Sequence, residues 1–349
     1  MKTAETNPIY QSQILPIMQK AETEIKTLIL VAFLYSQPKA MLIGAILTVI
    51  NRVKNEIPKE FGDTSAYVNG LIHSADKMVA IGYNKPQAAY LNARTQLLRT
   101  APSGTKITIN NPKELNDFLL KKKDLWAEAK GSPNVTNYPK ELKKMINDLG
   151  GEPMATYEIG KKPISIWQKA ELDTRYEHQM QMLQDLRVKG QDLCWISSHA
   201  NCSKRCQKWQ GKLVSLSESS TMSGFRVRKV DGHWVYSLTE IMAQTDKYGY
   251  HNNIINGFNC RHRLIPYTGQ KAPTHYSDQD VAKERNIEIQ IREMERKIRL
   301  YKTKEHLYNK SGDKITAKGY RAMWEKLEAY YKKFCEFHGY AWQEYRIKI

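Results

Sequence analysis

Four of the five cysteines in this chain lie between Asp192 and Tyr267, gathered into two short signatures. The first reads His199-Ala-Asn-Cys202-Ser-Lys-Arg-Cys206-Gln-Lys-Trp209-Gln210-Gly211, and the second Gly257-Phe-Asn-Cys260-Arg261-His262-Arg-Leu-Ile-Pro266-Tyr267. A Cys-x-x-x-Cys pair and a Cys-x-His pair, joined by a long insert, can bring thiolates and an imidazole around one tetrahedral zinc. Cys202, Cys206, Cys260 and His262 supply three thiolates and an imidazole, with His199 as a possible substitute ligand. The same residues also suit a metal-free cluster of buried thiols and a hydrogen-bonded histidine. Both readings make this stretch a small structural knot.

Its insert reads as a little sheet carrying a helix. Leu193 to Ser197 and Lys212 to Leu216 are short apolar runs beside turn residues. Phe225 to Val230, then Asp231-Gly232, then His233 to Tyr236 form a β-hairpin pattern, because Asp-Gly supplies the two positive-φ positions of a tight turn. Ser237-Leu-Thr-Glu240 is a capping box, opening a short helix through about Lys247.

The 349 residues carry a formal charge of +18, while 41% hydrophobic and 26% charged content is ordinary for a globular protein. Such an excess points to a polyanionic neighbour, most simply nucleic acid. The basic residues are dispersed, and no groove-reading motif is present. The polar start, Met1-Lys-Thr-Ala-Glu-Thr, has no secretory pattern, and an odd, clustered set of cysteines does not read as a disulfide framework. Synthesis in a reducing host cytoplasm is the expectation.

Elsewhere the chain is helical. Ile14, Met18, Ala21, Ile25 and Leu28 alternate steps of four and three, and the helix continues to Tyr35. Ser36 to Lys39 interrupts it before Ala40 to Ile50 resumes, so neither half reaches the roughly 20 apolar residues of a membrane span. A buried helical hairpin without a stable span is expected. Asp63 to Thr100 reads as two helices split near Gly82 to Pro86, and Asn111-Pro112 opens another through Trp126. Gly131 to Pro139 reads as a loop, and Lys140 to Leu149 as a short helix stopped by Gly150-Gly151. Gly, Pro and Lys collect from Gly150 to Pro163, marking a boundary, after which Ile164 to Lys189 reads as one polar, solvated helix. In the C-terminal region Ile287, Ile291, Met294, Ile298 and Tyr301 form one apolar seam, and Tyr320, Trp324, Leu327, Tyr331 and Phe334 another. Ser311-Gly312-Asp313 turns between them, giving a helical hairpin with Cys335 as packing. Glu288 to Arg292, Glu293 to Lys297 and Glu295 to Arg299 read as i,i+4 pairs on its outside.

The expected class is α+β and predominantly α-helical. It divides into a helical part (1–150), a connecting helix (151–191), a small mixed Cys/His module (192–270) and a C-terminal helical hairpin (271–349).

Three pieces together resemble the phage minor capsid protein 2 family, related to the Mu F-like minor head proteins. They are Trp195-Ile-Ser-Ser-His199 leading to Trp209-Gln-Gly211; Asn259-Cys-Arg-His262 through Pro266-Tyr267; and Arg292 to Arg299, with Phe334 and Gly339 near the end. The resemblance covers about the last two fifths of the chain. It implies a structural protein of the virion, inside the head, close to the portal protein and the packaged DNA, used in assembly or DNA delivery. It also implies a histidine where Cys206 stands, an exchange a zinc site tolerates, and no cysteine at position 202, which weakens Cys202 as a ligand. The rival class is a metal-dependent nuclease built on the same knuckle. That reading needs an open coordination position and a general base, for which His199, His233 and His251 are candidates. The chain holds neither a phosphate-binding glycine loop nor a recognised hydrolase motif. No catalytic residue is assigned.

Overall fold

The computed structural model describes residues 8–57, 65–100, 109–121, 133–151, 156–159, 162–165, 179–244 and 260–349. They form two compact units. One comprises Ile14–Thr156, Met294–Lys333 and Gln343–Ile349, and the other Met1–Gln13, Tyr157–Glu293 and Phe334–Trp342. A predominantly helical α+β protein results, as the periodicities require.

In the first unit, helix α1 (Pro8–Leu34) begins six residues before the expected start at Ile14, and α2 (Lys39–Glu56) follows a short break. Ser36 sits at φ 51°, and the Gln37 amide reaches back to the Ala32 carbonyl at 2.8 Å. This left-handed stop closes the α1 carboxyl end, and Pro38 prevents the helix from resuming earlier. Met18, Ala21, Ile25, Ile29, Leu30 and Phe33 are buried along one stripe of α1, and Leu42, Ile46, Ile50 and Val53 along α2. Each such large side chain contributes about 1.5–3 kcal/mol by leaving water. Among the described residues, no helix is long and apolar enough to cross a membrane.

Helix α3 (Ser65–Thr100) is one element rather than two and carries Pro86 inside it. The proline removes one helical hydrogen bond and costs roughly 3 kcal/mol. The stripe Leu71, Ala75, Val79, Ala89, Tyr90, Ala93 and Leu97 is buried along α2 and α5, which outweighs that cost. Helix α4 (Pro112–Lys121) is capped as expected: the Asn111 side chain accepts from the Glu114 amide at 2.9 Å. Its expected extension to Trp126 lies outside the described residues. Helix α5 (Pro133–Leu149) takes in residues 133–139 of the segment read as a loop, Pro139 included, while residues 131 and 132 lie outside the described set. Tyr138 explains the extension, because its ring is buried and its hydroxyl donates to the Pro112 carbonyl at 2.7 Å.

At the stretch read as a boundary, β1 (Thr156–Ile159) and β2 (Lys162–Ser165) pair as a two-stranded sheet. Ile164 and Ser165 therefore belong to a strand and not to the expected long helix. That helix is present as α6 over residues 179–188, while residues 166–178, with Glu171, Asp173, Arg175, Glu177 and His178, lie outside the described set.

The Cys/His module is a five-stranded mixed sheet in the order β5-β6-β4-β3-β7. Its strands are β3 (Leu193–Ile196), β4 (Leu213–Ser215), β5 (Arg226–Val230), β6 (His233–Ser237) and β7 (Leu264–Pro266). The β4–β6 pair is parallel and the others antiparallel. The hairpin turn falls on Asp231 (φ 48°) and Gly232 (φ 81°), as the Asp-Gly signal demands. Two short helices decorate the sheet, α7 (Lys204–Gln207) and α8 (Leu238–Ala243). The latter is capped by Ser237 and ends before the expected Lys247, Gln244 being already extended. On one face Cys194, Ile196, Val214 and Leu264 pack with Leu183 of α6 and with Leu238 and Ile241 of α8; on the other Trp195, Leu213, Val227 and Val235 cluster.

The C-terminal hairpin consists of α9 (Asp278–Ser311), capped by Ser277, and α10 (Lys314–Phe337), with Gly312 at φ 91° between them. Tyr320 stacks on Tyr308 at 5.6 Å and meets Tyr301 at 6.0 Å, so the two seams cover one another. Cys335 is buried in the second seam. Glu295 departs from its expected outer position, since its side chain is buried and accepts from the Tyr331 hydroxyl at 2.8 Å.

Candidate metal centre

The centre is assembled from two backbone segments that the sheet holds side by side. Cys206 comes from α7, the turn of helix between β3 and β4, and Cys260 and His262 from the approach to β7. Because β4 and β7 flank β3 on either side, each ligand segment is tied to the same central strand. Ser197, just beyond β3, fastens the second segment twice. Its amide donates to the Arg263 carbonyl at 2.9 Å, and its hydroxyl accepts from the Arg263 amide at 2.8 Å. The buried Gln179 amide of α6 donates to the carbonyls of Cys260 (3.3 Å) and His262 (3.1 Å). Arg261 points away to Glu288 of α9, an ion pair whose carboxylate also accepts from Asn201 at 3.1 Å. Burial works against the Glu288 charge, but Arg261 and Arg292 prevail and hold the carboxyl below its usual range.

One donor atom from each of Cys206, Cys260 and His262 lies within 4.8 Å of the other two, and these residues are 5%, 3% and 2% exposed. Cys260 Sγ and His262 Nδ1 are 3.6 Å apart. Ligand atoms on one tetrahedral zinc are roughly 3.5–3.8 Å apart, given Zn–S of about 2.3 Å and Zn–N of about 2.0 Å. The set thus needs at most about an ångström of contraction to hold that ion. Hydrogen bonds from Cys260, then from His262 and Ser203, pull the Cys206 thiol well below the ordinary range despite its burial. A thiolate is the form that binds metal. Residues and chemistry fit zinc.

The two remaining candidates are engaged elsewhere. Cys202 Sγ accepts from the Gln210 amide at 2.9 Å, and burial pushes its thiol up to about 12. His199 stacks edge-on to His262 at 5.0 Å, with Nε2 at 2.9 Å from the Ser197 hydroxyl and a further hydrogen bond to the Arg261 backbone. Burial, then His262 and the neighbouring arginines, lowers it to about 4, so it stays neutral. Both therefore line the cluster rather than join it. Cys194 is a buried core thiol raised to about 12, mainly by desolvation. Of the histidines considered as bases, His233 lies against Trp195 at 5.0 Å and His251 is outside the described residues.

Gln179 and Gln210 complete the arrangement, and residue-type reasoning gave neither a role. Gln210 bridges the two ends of the first signature, accepting from the His199 amide while donating to Cys202. Gly211 follows at φ +64°, where an added Cβ would meet the Pro273 carbonyl at 3.4 Å. This position needs glycine for its backbone, which accounts for the Trp-Gln-Gly run.

The family model for phage minor capsid protein 2 matches residues 174–336, spanning the centre and most of the C-terminal hairpin. No curated protein matches the chain, and no solved structure does.

Proposed function

Because residues 174–336 place this chain among the phage minor capsid proteins of the minor capsid protein 2 family, we propose that it is a structural component of the virion, held inside the head against the portal protein and the packaged double-stranded DNA. Its part is head assembly or DNA delivery. The family match over the Cys/His module carries this reading, and the charge of +18 supports the DNA side of it.

We read the centre as structural, with Cys206, Cys260 and His262 as its ligands. Three protein ligands are also the complement of a catalytic zinc, so ligand number decides nothing. Burial favours the structural role, because a hydrolytic centre must admit water and a phosphodiester to the ion. Zinc bound here would supply a crosslink between the α7 turn and the segment leading into β7, two segments separated by more than fifty residues of insert. Loop closure of that length is where a crosslink removes much unfolded-chain entropy.

Affinity capture with tagged portal protein of the same phage tests the assignment. The full chain is expected to be retained by the portal, and to leave supercoiled plasmid intact when incubated with divalent metals. Failure of capture by the portal would remove the placement, and nicking abolished by His262→Ala would replace the structural reading with the nuclease.

A further inference from the structure

The β5–β6 hairpin and the turn entering β4 carry an alternation of cations and rings outside the Cys/His cluster. Lys229 stands opposite Trp234 in the hairpin register, its Nζ 4.9 Å from the ring centroid, and the Arg226 guanidinium lies 5.1 Å from the same ring. Two residues along the same face of β6, Tyr236 has Lys212 Nζ 5.7 Å away. Tyr236 in turn meets Trp209 edge to face at 6.0 Å, and Lys208 Nζ lies 5.0 Å from that indole. All four cations are exposed, whereas the rings beneath them are buried or half-buried.

The neighbouring Arg228 shows what a satisfied cation looks like here, since Glu218 takes it with hydrogen bonds of 2.8 to 3.1 Å. Among the described residues, none of Lys208, Lys212, Arg226 and Lys229 has a carboxylate partner. Four unneutralised charges gathered over three rings of one sheet face repel one another unless something anionic lies against them. The rings keep the long stems extended, so less side-chain freedom is lost when an anion is bound. Since the ring faces are already covered by cations, they are not open for stacking an unpaired base, and contact falls to the charges.

Building on the proposed virion role beside packaged DNA, we infer that this row is a phosphate-backbone contact for duplex DNA, independent of sequence. A uniform run of negative charge matches a cluster of unpaired positive side chains better than a mixed protein surface does. Cys206 stands three residues before Trp209, so the centre also fixes the end of the row.

Fluorescence anisotropy of the full chain with two duplexes of unrelated sequence, over a range of salt, tests this. The chain is expected to bind both alike, with log affinity falling linearly in log salt. Arg226→Gln/Lys229→Gln is expected to flatten that slope by about 2 and to weaken binding on the order of 50-fold at about 0.1 M salt, at roughly 0.9 of slope per phosphate contact. Arg226→Lys/Lys229→Arg should keep the slope, with unchanged melting of both variants as the check on folding. Binding by the parent with an unchanged slope in the glutamine variant overturns the assignment of this row while leaving the DNA reading intact. No binding by the parent overturns both. Polyglutamate bound as tightly as DNA, and lost in the same variant, would give the face to an acidic protein instead.

Discussion

Exchanging Cys260 for serine is expected to strip the chain of zinc and to lower the unfolding temperature of the Cys/His module by about 10 °C. Structural zinc supplies on the order of 10 kcal/mol in isolated zinc-finger peptides. This module has its own apolar core around Ile196, Val214 and Leu264, so only part of that depends on the ion. The module melts as part of the larger unit that includes Tyr157–Glu293, in which a third of that contribution already corresponds to about 10 °C, at roughly 2–4 °C per kcal/mol. Cys206→Ser should behave in the same way. Cys202→Ser should retain the metal and lose only the contact with Gln210. Elemental analysis and differential scanning calorimetry on the four proteins check this. Equal metal content and melting in Cys260→Ser and the parent would make the thiols a metal-free packing cluster.

The second large effect is expected at the opposite end of the chain. Arg346→Ala should destabilise the unit containing Met294–Lys333 by roughly 3–5 kcal/mol, read as a lower midpoint of urea unfolding. The side chains of Arg346 and Glu295 are only 4% and 2% exposed and stand 4.0 Å apart. Around them Tyr331 donates to Glu295, Gln343 accepts from Arg346 Nε at 2.6 Å, and Arg299 donates to the Arg346 carbonyl. Truncating the arginine removes an ion-pair partner from a buried carboxylate, and the loss of that compensation is the main cost. Glu295→Gln in the Arg346→Ala background should recover much of the loss, because it removes the buried charge while keeping an acceptor for Tyr331. A midpoint unchanged by Arg346→Ala would show that the last residues contribute nothing to the unit.

Legibility followed the strength of the local code. The Asp231-Gly232 hairpin, the Asn111 and Ser237 caps and the α9 and α10 seams each combine a fixed spacing with a turn or capping residue, and each stands where the sequence puts it. Prolines misled where burial outweighed their backbone cost: Pro86 and Pro139 both lie inside helices, held there by residues such as Tyr90 and Tyr138. Strands β1, β2 and β7 are three or four residues long, too short for alternation to register, and β7 exists because β3 offers it an open edge. Glu295 matched an i,i+4 pattern with Arg299, but its burial depends on Arg346, some fifty positions away, which no local window contains. In the centre, residue type and spacing offered Cys202, Cys206, Cys260 and His262, of which the last three have donor atoms within 4.8 Å of one another. The engagement of Cys202 and His199, and the clamp from Gln179, depend on tertiary contacts that spacing cannot encode.

X-ray absorption at the zinc edge, on the full chain purified without added metal, reads the ligands of the centre. Tetrahedral zinc is expected, with two sulfur neighbours at about 2.3 Å and nitrogen at about 2.0 Å, the sulfur signal vanishing in Cys206→Ser/Cys260→Ser. A chain that carries no zinc, or an ion surrounded by oxygen and nitrogen alone, would contradict this expectation.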